Sequence, residues 1–160
     1  MTIHNDQEFK QALSELTIAD QRVLAAQFVE SVVYLNSDPI IKHALKLARN
    51  KMTSGSVSEE NDFDAAYKSV KSLAVKTYTA CGDDADWPAQ AAHFIATATK
   101  ACLTPMDHLG NNSSIKNNLA WKCAMQTRMA KNCEMIESDS RTIDNEAQKQ
   151  YAICNDFLNL

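Results

Sequence analysis

The side chains able to do chemistry in this chain are thinly spread. It carries four histidines and five cysteines, and neither set has the spacing that a metal or an activated nucleophile requires. A carboxylate-bridged di-metal bundle needs Glu-x-x-His pairs, so that carboxylate and imidazole share one helix face. No histidine here has Glu or Asp three residues before it. HExxH and zinc-finger spacings are absent too, as are a phosphate-cradling glycine loop and a GxSxG nucleophile elbow. Metal catalysis is disfavoured, no catalytic residue stands out, and neither a metal nor a cofactor is expected.

Two acidic clusters and one histidine remain as candidates. Gly82-Asp83-Asp84-Ala85-Asp86 gathers three carboxylates before a helix start, and Glu59, Glu60, Asp62 and Asp64 precede or open another helix. Such clusters can hold a hard divalent cation, meet a basic partner, or complement the positive end of the adjacent helix. The 82–86 loop is short and lacks the ligand spacing of a calcium loop, so the helix-end reading leads. His93 stands on the most apolar helix, where an imidazole can be a general base, a ligand or a hydrogen-bonded core group. No acidic neighbour one turn away orients it, which favours the structural role. A pocket around His93, Cys102 and Trp121 is the ligand-binding or enzymatic alternative.

Other reactive types read as structural. Cys81, Cys102, Cys123, Cys133 and Cys154 are odd in number and include no CxxC pair, as expected of reduced thiols used as small core residues. His43, beside Lys42, reads as a surface residue, and His108 lies in the longest loop. Lys42, Lys46 and Arg49 make a basic stripe that a solvated helix face explains as well as phosphate binding. Trp87 and Trp121 are large enough to anchor an interface, yet such residues also serve as core or cap packing. Met125, Met129 and Met135 are expected to fill irregular core space.

The elements that must position these residues are helices. All six glycines and prolines fall where a helix would begin or end; proline lacks the helical N–H, and glycine costs about 1 kcal/mol inside a helix. The first helix spans 6–16, with Phe9, Leu13 and Leu16 on one side. Thr17 caps a second helix over 18–35, striped by Leu24, Phe28, Val32 and Leu35. Asp38-Pro39 starts a third, with Ile41, Ala44, Leu45 and Ala48 inward. A fourth begins between Ser58 and Asp62 and runs to Cys81, with Gly82 as its left-handed cap. Asp86 caps a fifth helix that is apolar on most sides and so belongs in the middle of a bundle. Thr104-Pro105 stops it, and 106–112 is the longest non-helical stretch. Ser113 or Ser114 starts a sixth, and a seventh covers 139–158.

The expected fold is therefore all-α: one domain over 1–160, a compact bundle of six or seven mostly antiparallel helices around a central alanine-rich helix. The first residues, MTIHNDQEFKQ, lack the order of a secretory signal, and no run of about 18 apolar residues exists. A cytoplasmic protein without membrane contact is expected. The net charge of −4 argues against nucleic acid, whose binders need a dominant positive field.

From Ile18 to about Ala130 the layout resembles a bacterial immunity-protein family of polymorphic toxin systems. The similarity rests on Asp20-x-Arg22-x-Leu24-Ala25, on the helix from Asp38-Pro39-Ile40-Ile41 to Ala48-Arg49, on Asp64-Ala65-Ala66, and on Ala89-Gln90-Ala91-Ala92-His93-Phe94. This resemblance implies a non-enzymatic protein that binds and neutralises a cognate toxin. Glu59, Glu60, Asp62, Asp83, Asp84 and Asp86 would then be the partner contacts. The alternatives are a helical adaptor that self-associates through its last two helices, and a ligand-binding or enzymatic domain with its pocket near His93.

Overall fold

Capping chemistry decides where the helices start. The Thr17 hydroxyl accepts from the Asp20 N–H, Asp38 accepts from Ile40 ahead of Pro39, and Asp86 accepts from Ala89 with Pro88 in the first turn. Each satisfies a backbone donor that the helix itself leaves without a partner. A computed structural model describes residues 2–50, 57–78, 85–109, 119–139 and 145–159. Among them lie seven α-helices: α1 Asp6–Ser14, α2 Ile18–Glu30, α3 Pro39–Arg49, α4 Val57–Lys76, α5 Trp87–Cys102, α6 Leu119–Glu137 and α7 Glu146–Asn159. Val33–Leu35 and Met106–Leu109 are short 3-10 turns. The described residues contain no strand, and none of their helices is long and apolar enough to cross a membrane.

Paired contacts give the helix directions. Arg22, early in α2, reaches the Cys102 carbonyl at the end of α5, while Asn36, past the end of α2, donates to Ala92 near the start of α5. The two helices are antiparallel. Ala120 donates to Gln21, the Cys123 thiol to the Ala25 carbonyl, and Lys131 to Tyr34. These pairs advance together, so α6 runs alongside α2 and against α5. Arg22 lies over the Phe63 ring, and Thr77 meets His93, which sets α4 antiparallel to α5 as well. The expected all-α bundle is observed, with α5 bordered by α2, α3, α4 and α6.

Small side chains explain that central position. Ala91, Ala96, Ala98, Thr99 and Cys102 of α5 are buried, and so are Ala120, Cys123, Ala124, Thr127 and Ala130 of α6. Helix separation follows the size of the contacting side chains, and α5 and α6 form the most extensive helix pair in the bundle. The bulky residues fill the flank instead. Phe9 of α1 is fully buried between Phe28, Trp121 and Tyr151, with ring centroids 5.6, 6.0 and 5.3 Å away.

Several boundaries differ from expectation for local reasons. Helix α1 stops at Ser14, and Glu15 and Leu16 close with i→i+3 bonds. Helix α2 ends at Glu30 rather than Leu35. Ser31 turns its hydroxyl onto the Phe28 carbonyl, and the β-branched Val32 leaves helical geometry at φ −127°. Helix α4 ends at Lys76 rather than Cys81, where Thr77 bonds back to the Leu73 and Ala74 carbonyls. The 106–112 stretch is not wholly irregular, because Met106–Leu109 forms a 3-10 turn. Helix α7 begins at Glu146 and not near Asp139, whose φ of 48° is incompatible with a helix. The expected caps at Gly82 and Ser113 or Ser114, and the residues Cys81, Gly55 and Gly110, lie outside the described residues.

Candidate functional site

At one end of the bundle the start of α2, the end of α3, the start of α4 and the Pro105–Asp107 turn surround a cleft of about 630 Å³. That volume falls in the range of small-molecule pockets, on the order of 300–1,000 Å³. Its apolar wall comes from Ile18, Ala19, Leu47, Ala48, Phe63, Pro105 and Met106. Helical periodicity brings Glu60 and Asp64 to the same side of α4, one turn apart, and both line the cleft with Asp107 and Asn50. Glu60, Asp64 and Asp107 are all exposed. Like charges at this spacing repel each other.

Arg22 is the one cation among the described lining residues, and it is only 9% exposed. Its Nη1 donates to the Cys102 carbonyl at 2.8 Å and its Nη2 to the Thr104 carbonyl, while Phe63 lies 4.8 Å beneath the guanidinium. The arginine thus supplies positive charge to the C-terminal carbonyls of α5, where the helix dipole is negative. Burial pulls its pKa down to about 10, which leaves it protonated at neutral pH.

The sequence candidates do not assemble into one site. His93 is half-buried against α4: its Nδ1 lies 3.2 Å from the Thr77 hydroxyl, and its ring meets Tyr78 edge-on at 5.7 Å. Cys102 is buried, with its sulfur 3.4 Å from that of Cys123, which also donates to the Ala25 carbonyl. Trp121 packs on the α1 side, near Phe9 and beneath Lys10 at 5.4 Å. None of these three lines the cleft, and each packs against a different neighbouring helix.

Among the acidic candidates, Glu60 and Asp62 are exposed, and no hydrogen bond or ion pair holds either of them or Asp64 among the described residues. Only Glu60 and Asp64 of these line the cleft. Asp86 is exposed and its carboxylate caps α5, so its chemistry is spent on that helix. Asp83 and Asp84 lie outside the described residues, as does the side chain of Glu59. Lys42, Lys46 and Arg49 are exposed, and Arg49 pairs with Glu30 at 3.0 Å. His43 and His108 are exposed, the latter edge-on to Tyr67. Met129 is 45% exposed and so does not fill the core, while Met125 and Met135 are half-buried.

The buried polar residues were the least visible in the sequence. Gln21, Arg22, Lys131 and Gln150 are all nearly inaccessible. The usable signal was register: Gln21 and Arg22 lie one turn before Ala25 and Ala26 on the inward face of α2. A polar residue in phase with a core stripe must carry its own hydrogen-bond partners. No group of His, Cys, Asp and Glu among the described residues is arranged to hold a metal ion. Comparison of the chain with protein-family models, curated proteins and solved structures finds no match to any of them.

Proposed function

We propose that this chain is a non-enzymatic, immunity-type protein of the cytoplasm, which binds and neutralises a toxin through a basic surface of that partner. The observation supporting the reading is a single turn of α4 on which Glu60, Asp62 and Asp64 are exposed with no cation paired to them among the described residues. Carboxylates left in this way lose little on meeting a basic surface and gain its field. They also speed association at low salt, and the gain falls as salt rises. The test is a binding measurement against the toxin-like product of a neighbouring gene, with the variant Glu60→Gln/Asp62→Asn/Asp64→Asn alongside. The expected result is a complex at micromolar concentrations whose association slows with salt and is at least about tenfold weaker in the variant. No complex at that concentration removes the reading.

A second reading is favoured by a different surface. Met129 and Ile136, two turns apart on α6, are 45% and 52% exposed, and Leu158 of α7 and Tyr34 are exposed as well. Apolar side chains left outward suit an adaptor that self-associates through its last helices. Solution mass at several concentrations separates the two: a strictly monomeric chain removes self-association and leaves the immunity-type reading standing.

A further inference from the structure

We propose that the cleft between α2, α3, α4 and the Pro105–Asp107 turn is a binding site for an amphipathic organic cation, an amine or guanidinium carried on an apolar body. The inference concerns the cleft alone and holds whether or not the partner is a toxin. Its wall is apolar, built from Leu47, Ala48, Phe63 and Met106, and would take an aryl or alkyl group out of water. Among the described residues its charged lining is lopsided: three carboxylates, Glu60, Asp64 and Asp107, stand against the cation Arg22.

The position of Arg22 decides which sign of ligand the cleft prefers. Its terminal nitrogens already donate to the carbonyls of Cys102 and Thr104, and its face is covered by Phe63. That charge is directed at the end of α5. Glu60 and Asp64, in contrast, have no partner among the described residues, and their mutual repulsion across one turn of α4 is relieved by a cation placed between them. Among the described residues Asp107 has only the imidazole of His108, at 4.0 Å. A ligand whose apolar part enters the cleft and whose positive group stays at its mouth meets both demands. The same chemistry is found in a free small amine and in a lysine or arginine side chain displayed by another protein.

Amide-resolved NMR of the full chain tests this with defined probes. Phenethylamine is titrated beside its neutral analogue 2-phenylethanol and its anionic analogue phenylacetate, and N-acetyl-Phe-Arg-amide represents a displayed basic side chain. The expected result is saturable shifts at Ala48, Phe63, Asp64 and Met106 with phenethylamine, and binding at least about tenfold weaker for the alcohol. Glu60→Gln and Asp64→Asn should each weaken the amine about threefold to tenfold. Both residues are exposed, and an otherwise unchanged amide spectrum verifies that each variant is folded. Tighter binding of the peptide supports the site with a protein side chain as its natural occupant; tighter binding of phenethylamine supports it with a free amine. Equal binding of amine and alcohol, preference for phenylacetate, or no saturable shift by about 10 mM overturns the proposal. Toxin binding through Asp62, which is outside the cleft, can survive that failure, so the two proposals fail separately.

Discussion

Arg128 of α6 grips Asp6 of α1 with both terminal nitrogens, Nη1 to Oδ2 at 3.1 Å and Nη2 to Oδ1 at 2.8 Å. Its Nε donates to Gln150 of α7 at 2.8 Å, and the Tyr151 hydroxyl donates to the same Asp6 carboxylate at 2.7 Å. The guanidinium also lies within 5.8 to 5.9 Å of the Phe9, Trp121 and Tyr151 ring centroids. One side chain therefore fastens the first and last helices to the middle of the bundle.

This grip has a pH signature. The Arg128 hydrogen bonds hold the Asp6 carboxyl below its usual range, burial opposes them, and the Tyr151 hydroxyl assists. A depressed folded-state pKa gives stability that is present above the unfolded value, near 3.9, and lost as pH falls through the folded value. Asp6 is half-exposed, so solvent screening limits the pair. Asp6→Asn should cost about 0.5–1 kcal/mol at pH 7, and the difference from the parent should close in acid, once pH has fallen through the lowered folded-state value. Urea midpoints at pH 7 and in acid measure it. A pH-independent difference would mean that packing, not charge, holds the contact.

Gln21 should be costly to replace despite being polar. It is fully buried, its Oε1 accepts from the Ala120 N–H at 3.2 Å, and its Nε2 donates to the Leu16 carbonyl. Gln21→Leu keeps much of the volume but leaves both backbone groups without this partner. The expected loss is about 1–3 kcal/mol by chemical denaturation, with increased hydrogen exchange at the Ala120 amide.

The buried thiols should be inert while the protein is folded. Cys102, Cys123 and Cys154 are fully buried. Burial pushes the Cys123 thiol well above its usual range, and Cys154 up to about 11. Alkylation requires the thiolate. Iodoacetamide at pH 8 followed by peptide mapping should therefore leave all three unmodified in the native protein and modify them in urea. Rapid native labelling of Cys123 would show that α5 and α6 separate readily.

Removing the α4 charges should leave the fold intact. Since Glu60, Asp62 and Asp64 hold no partner among the described residues, the triple neutral variant should match the parent within about 0.5 kcal/mol. Thermal unfolding monitored by circular dichroism checks this, and a large loss would assign these residues to stability rather than to binding.

Helix starts and inward faces were legible in the sequence, because both depend on neighbours close in the chain. Thr17, Asp38 and Asp86 cap helices where their positions indicate, and Ile41, Ala44, Leu45 and Ala48 all turn inward. Helix ends were less legible, since α2 stops at Glu30 although apolar residues continue in helical spacing through Val32 and Leu35. The cleft was not legible at all. Glu60 and Asp64 attract notice locally, but Leu47, Phe63 and Met106 reach the same cleft from three separate elements, and only the tertiary arrangement brings them together. His93, Cys102 and Trp121 were grouped for the chemistry of their side chains, while the fold turns them toward α4, α6 and α1 respectively.

Gln21 and Arg22, consecutive in the chain, tie down the first turn of α6 and the last turn of α5. The register between those two helices is thus fixed from outside the stretch of chain that joins them. In this arrangement α2 acts as a splint, holding its two neighbours in register through side chains that are adjacent in its own sequence.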